Sequence, residues 1–266
     1  MSVNILRPSS RILTLGDMDT MQIFGIGQGA ANGLLNNLIA YWPGDEASGN
    51  LLDAHTNGLD LTDVNTVTSN PGHVYTTARQ YTTANDEYHT RPGDDALLST
   101  GDVDFTIMVW VYADAFGADR AILGKNRIWE PPGRGYTVYY HNSTNKWAFT
   151  VSDGANAYVL DSTAAPSLST WYLLIAWHDS VANTINIQVN DFAAVTFAWS
   201  TGVNDPTCSF MIGNADGFGP GFMWDGRIGP TAFWKSAAGD GGVLTAAQRT
   251  ALWNGGAGLK YSEFTS

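Results

Sequence analysis

The stretch YWPGDEASGN, residues 41–50, sets Asp45 beside Glu46, and neighbouring acids are where acid–base chemistry or metal binding is sought first. Cleaving a glycosidic bond takes two carboxyl groups about 5–9 Å apart. On a strand, acids at i and i+2 or i and i+4 meet that spacing, since each residue advances the chain about 3.3 Å. Asp102 and Asp104 stand at i and i+2, but STGDVDF reads as a turn entering a strand. The glutamates Glu46, Glu87, Glu130 and Glu263 each stand alone in a loop-like context. His178 abuts Asp179 at a strand end, where a solvated or hydrogen-bonded terminus is expected rather than a catalytic base. No Gly-x-Ser-x-Gly elbow, His-Glu-x-x-His, Cys-x-x-Cys or phosphate loop occurs, and GIGQG lacks the strand–turn–helix context of a dinucleotide fingerprint. The expectation is a protein that is not an enzyme.

Two binding chemistries remain. Calcium takes oxygen ligands from Asp side chains and carbonyls without strict spacing. DAHTNGLDLTD, residues 53–63, supplies Asp53, Asn57, Asp60 and Asp63, so a calcium site and ordinary turn residues both stay open. Sugar rings stack on exposed aromatic faces held among polar neighbours. Trp129 in NRIWEPPGRG and Trp224 in GFGPGFMWDG lie in Gly/Pro-rich loops, which makes them the candidate carbohydrate-binding residues; packing beneath a loop is the competing reading.

The elements that would position such residues are strands. The chain of 266 residues is 44% hydrophobic and only 14% charged, with 29 Gly and 10 Trp, a profile that suits one β-rich domain plus an appendage. Twenty-five acids against 13 bases give a net charge of −12, which repels nucleic acid and anionic membranes. Lys125, Arg127 and Arg134 are too few to form a basic patch. Cys208 is the lone cysteine and reads as a small buried hydrophobe. Asp17 and Asp19 interrupt what would be a signal peptide's apolar region, and no apolar run is long enough for a membrane span, so folding in a cytoplasm is expected.

Residues 1–37 cannot bury a core and are expected to form an extended arm for docking or self-association, with a β body over 38–266. In FTIMVWVYA, residues 105–113, Phe105, Ile107, Val109 and Val111 share one face while Met108, Trp110 and Tyr112 share the other, which predicts a central strand covered on both sides. GYTVYYHNSTNKWAFTVSDG and TWYLLIAWHDSVANTINIQVND each predict a hairpin, the second turning Ile185, Ile187 and Val189 inward. LTAAQRTALWNGG predicts one short helix, capped by Thr245 with Gln248 three residues on, ended by Gly255, and packing Leu252 and Trp253 onto the body.

These pieces carry a resemblance. LIAYWPGDEASGNLLDAHTNGLDL, FTIMVWVYAD followed by AILGK, WAFTVSDG, STWYLLIAWHDSVANTINIQVND, GRIGPTAFWKSA and LTAAQRTALWNGGAGLKY, in this order, resemble the laminin G-like, concanavalin A-like lectin sandwich family over residues 38–261. The resemblance implies an all-β, two-sheet antiparallel jelly-roll sandwich with a short C-terminal helix. It implies that Asp45 and Glu46 sit at the exit of a first strand with solvated carboxylates. Many members carry an acid after the Gly-x-Ile of a late strand; Gly229 stands there in GRIGPT, leaving Asp53 and Asn57 as the metal candidates, with calcium the implied ion. Family members bind glycans or proteins through loops. With the arm and the missing export signal, the resemblance suggests a virion structural protein of a tailed phage, assembled in the host cytoplasm and displayed on the virion surface. Its expected partners are other virion proteins through residues 1–37, host-surface or environmental glycans, and its own copies. A bacterial glycan-binding lectin and a polysaccharide-degrading enzyme are the alternatives.

Overall fold

The computed structural model describes residues 33–127, 133–215 and 220–266. Fifteen strands among them, numbered along the chain, form two antiparallel sheets, with one short helix near the C-terminus. The first sheet runs β13 (Val195–Ala198), β12 (Thr184–Val189), β11 (Trp171–Asp179), β6 (Asp104–Ala113), β15 (Gly226–Ser236), β4 (Thr77–Tyr81), β3 (Thr68–Pro71), and β1 (Leu38–Trp42) also pairs with β15. The second runs β10 (Ala157–Asp161), β9 (Lys146–Ser152), β8 (Tyr136–His141), β7 (Arg120–Lys125), β14 (Phe210–Ile212), β5 (Tyr88–Arg91), β2 (Thr62–Val64). This is the expected jelly-roll sandwich.

Strand β6 lies between β11 and β15, and both of its faces are buried as its residue alternation requires. Phe105, Ile107, Val109 and Val111 point into the core between the sheets. Met108 and Trp110 point the other way, into a second apolar cluster on the outer face of the first sheet. The helix α1 (Ala246–Trp253) covers that face: Leu252 is buried there and the Trp253 ring stacks on Trp110 at 5.6 Å. A buried indole removes about 200 Å² from water, on the order of 5 kcal/mol of transfer free energy. Gly258 lets the following segment pass close by, since a Cβ there would come 2.4 Å from a Val74 methyl and 3.3 Å from the Trp110 ring, at φ +74°.

Thr245 and Gln248 form the predicted capping box. The helix ends on Asn254 in the left-handed region (φ 49°), one residue before the expected Gly255. The β8–β9 and β11–β12 hairpins form as expected, with Asn145 (φ 54°) and Asn183 (φ 55°) supplying the left-handed turn positions. Ile185, Ile187 and Val189 do face the core, but outward Asn186 and Gln188 are covered as well. Asn186 accepts from the Thr196 hydroxyl, and Gln188 accepts from Arg249 of the helix.

The body begins before residue 38. Leu34 is buried in the outer cluster, the Trp234 indole donates to its carbonyl at 2.8 Å, and the Leu35 amide donates to Thr265. Residues 1–32 of the expected arm lie outside the described residues. Replacing Leu252 with Ala should destabilise the protein by about 2–5 kcal/mol, because it empties a filled site between helix and sheet; urea denaturation followed by tryptophan fluorescence measures this.

Candidate functional site

Among the described residues, no α-helix packs on the outer face of the second sheet; a single 3-10 turn, Pro220–Phe222, meets it beside β7. Along β8 the inward set Tyr136, Val138 and Tyr140 joins the core, as do Trp147, Phe149 and Val151 of β9. Their neighbours point outward with a period of two, so Thr137, Tyr139, Thr150 and Ser152 form the floor of a cleft of about 350 Å³. Ala157 and Val159 of β10 form one side, and Asp119, Asn126, Arg134 and Phe222 form the rest.

The floor is rich in hydroxyls, and its polar groups are held in place. Asn126 donates to the Thr137 hydroxyl at 2.7 Å and accepts from the Gly135 amide at 3.3 Å. The Ser152 hydroxyl donates to the Asn156 carbonyl at 2.6 Å and accepts from the Gly154 amide at 3.0 Å. Burial pushes the Tyr139 phenol above its ordinary range, so it stays a neutral donor and acceptor. Asp119 is the one carboxylate in the lining among the described residues, and its Oδ1 accepts from the Asn142 amide at 2.8 Å. Four hydroxyls, one amide, one acid, one base and two aromatic rings line a cleft whose accessible surface is mostly apolar, the mixture of apolar contact and a few placed polar groups that a small ligand such as a sugar ring can use.

The residues singled out by sequence fall elsewhere. Trp129 lies outside the described residues. Trp224 is a correction: it is fully buried, with its ring 5.9 Å from that of Trp147 and its indole donating to the Arg227 carbonyl, so it has no face to offer a sugar. The Gly/Pro composition around it marks a turning chain, but the turn points this ring into the core.

Asp53 is a brace. Its Oδ1 accepts from the Tyr41 and His55 amides at 3.0 and 2.9 Å, and its Oδ2 from the Leu59 amide at 2.9 Å. Asn57 donates to the Ile39 carbonyl at 2.8 Å, Asp60 accepts from the Asp53 amide, and Asp63 from the Val67 amide. A carboxylate facing three N–H groups is already satisfied as an anion, so this set as arranged does not fit a calcium ion. Among the described residues, no three His, Cys, Asp or Glu side chains converge as a metal site.

Asp45 is exposed, as expected, but Glu46 is not freely solvated. Its Oε1 accepts from the Leu52 amide at 2.7 Å, its Oε2 is buried, and burial pushes the carboxyl above the usual range. Beneath it lies a fully buried Arg79, which donates to the carbonyls of Glu46 (2.7 Å), Gly49 (2.5 Å) and Val67 (3.0 Å). This cluster fixes the turn and stands apart from the cleft lining. Asp104 accepts from the Ser180 amide and hydroxyl and from the Gly239 amide, while Asp102 is exposed, so the two do not form a pair. His178 is buried with Nδ1 at 2.8 Å from the Val103 carbonyl, a hydrogen-bonded strand end. Lys125 is buried between Asp94 and Asp205 at 2.5 and 2.6 Å.

A family model described as the concanavalin A-like lectin/glucanases superfamily matches residues 81–241. The chain belongs to that superfamily. Among solved structures, the superfamily sandwich of this chain is similar to domain 4 of an extracellular arabinanase from Geobacillus stearothermophilus, solved with arabinotriose. That match has 15% identity and a TM-score of 0.59, over 80% of this chain and 97% of that one. It is also similar to the binding domain of Paraclostridial Mosquitocidal Protein 1 (11% identity, TM-score 0.65, 84% of this chain and 53% of that one). A third is a Trypanosoma rangeli sialidase (13% identity, TM-score 0.58), of which the chain spans 39%. A search of curated proteins found no match.

His89 gives the sandwich a pH dependence. It is fully buried, with Nδ1 3.0 Å from the Tyr81 hydroxyl and Nε2 3.0 Å from the Gly49 carbonyl; burial, with the Arg79 charge adding to it, pushes its pKa down to about 4. An unfolded histidine takes up its proton near 6.5. The unfolded state therefore binds more protons between about 6.5 and about 4, and stability falls as pH drops through that window, by roughly 3 kcal/mol. His89→Gln should lower stability at pH 7 yet flatten the change in urea midpoint between pH 7 and pH 4; equal slopes in both proteins would contradict this.

Proposed function

We propose that the chain is a glycan-binding module that grips a saccharide in the cleft over β8, β9 and β10 and does not cleave glycosidic bonds. The observation that carries this reading is the hydroxyl-floored cleft on the outer face of the second sheet. The superfamily match supports it, as does similarity to an arabinanase domain solved with arabinotriose and to a toxin's binding domain. Among the described residues the lining holds a single carboxylate, Asp119, which favours holding a sugar over hydrolysing it, since glycosidases work with two carboxyl groups. Thr150→Trp fills the cleft from the floor while leaving the inward core residues unchanged. On a glycan array the unmodified protein should bind at least one oligosaccharide, and this variant should weaken that binding by about tenfold or more. An array with no bound glycan would overturn the reading.

The proposal extends to where the module works: on the surface of a tailed-phage virion, docked to other virion proteins or to its own copies through the segment preceding the sandwich. The supporting observation is the placement of Gly33–Asn37. They are pinned against the outer face of the first sheet, whereas the cleft lies on the outer face of the second, so a tether and a binding surface would occupy opposite layers. Deleting residues 1–32 should leave a folded, glycan-binding sandwich that no longer joins particles; normal incorporation would refute the docking role.

A further inference from the structure

Beyond one end of the cleft, three side chains on the same outer face make an arrangement that saccharide binding does not use. His141, two residues along β8 from the cleft residue Tyr139, has Nδ1 2.9 Å from Asp161 Oδ1 and Nε2 2.8 Å from the Ser143 hydroxyl. Asp161 stands two residues along β10 from the cleft residue Val159, so imidazole and carboxylate reach each other across β9. Ala148 of β9 is the registered neighbour of both Tyr139 and Asp161, and its side chain is a single buried methyl, short enough for imidazole and carboxylate to meet across it. We propose that Ser143, His141 and Asp161 form an acyl-transfer site that hydrolyses ester groups, with O-acylated sugars as the substrate class.

The roles follow from the hydrogen bonds. A carboxylate on Nδ1 fixes the tautomer in which Nε2 is the proton acceptor, and the group on Nε2 is the serine hydroxyl. Ser143 lies exposed in the β8–β9 turn, open to a polymeric substrate. In that turn the Asn142 amide is held by Asp119 and the Asn145 amide by the Asn142 carbonyl. Among the described residues, the intervening amides of Ser143 and Thr144 have no protein acceptor, which leaves them available to an oxyanion. In the first half-reaction Ser143 Oγ bonds to the ester carbonyl carbon while His141 Nε2 takes the hydroxyl proton. The carbon–oxygen bond to the sugar then breaks, and the departing sugar oxygen receives that proton. In the second, water attacks the acyl-serine through the same base, releasing a carboxylic acid and restoring Ser143. Asp161 is a positioning residue. Lys146, registered opposite His141, is turned away to the Thr163 carbonyl.

The substrate class rests on the glycan reading; the ester chemistry does not. The test is to incubate the full chain with p-nitrophenyl acetate, with a fluorophosphonate probe and with an acetylated polysaccharide. The expected result is probe attached at Ser143, and turnover reduced about a hundredfold or more in Ser143→Ala and His141→Gln. Asp161→Asn should lower kcat for the small ester by about tenfold or more while leaving KM unchanged, and Asp161→Glu should restore part of the loss, as expected of a residue that positions the imidazole. Melting curves would establish that each variant is folded. A full chain that is neither labelled nor faster than Ser143→Ala overturns the site, whether or not glycans bind. Turnover of the small ester with no acetate released from the polysaccharide overturns the sugar assignment alone.

Discussion

Strand β6 is apolar on both faces, and the rest of the molecule is arranged around satisfying that condition. Its inner face needs a second sheet; its outer face needs something else, and the chain supplies it locally from both sides of the sandwich in sequence. Leu34 and the segment after it arrive before β1, the helix arrives after β15, and both close over Trp110, Met108 and Trp234. The first sheet therefore works as the middle layer of three. The second sheet has the core on one side, and its outward residues on β8 and β9 alternate into polar, aromatic and small side chains, of which Thr137, Tyr139, Ala148 and Ser152 are buried and Thr150 is half-buried.

That asymmetry separates stability from recognition. The layer that carries the aromatic packing is sealed by the protein's own chain, so substitutions there act on folding. The cleft lies on side chains that alternate with those between the sheets, and its floor residues Thr137 and Ser152 are themselves buried and hydrogen-bonded, so its more exposed edge, Thr150 and Val159, is where its chemistry can change with the least structural cost. The same face extends along β8 and β10 to the turn that bears Ser143, which puts the His141–Asp161–Ser143 set and the cleft on one face of the sheet.

Much of the architecture was legible in the residues. The two-faced alternation of β6, the two hairpins and the capping box each depend on local pattern, and each formed. What the sequence did not disclose depends on direction in space. Trp224 sits among glycines and prolines like a surface loop residue, yet the turn aims it inward. Asp53, Asn57, Asp60 and Asp63 have the composition of a cation loop, but the chain folds so that they meet main-chain amides and a carbonyl. Glu46 looked solvated because nothing nearby in sequence reveals Arg79 beneath it. The cleft was missed for a related reason: its floor comes from the outward halves of β8 and β9, whose inward halves drew attention as core. The outward Thr, Tyr and Ser in YTVYYH and KWAFTVS were the available signal.

The chain closes the outer face of its first sheet with its own segments, and the proposed binding uses the outer face of the second. Amide hydrogen exchange with and without a bound oligosaccharide tests this directly. It should show added protection confined to the peptides carrying Thr137–Tyr139, Thr150–Ser152 and Ala157–Val159, with the helix-covered face unchanged. Protection appearing instead around Trp110, Trp171 and Trp253 would contradict it.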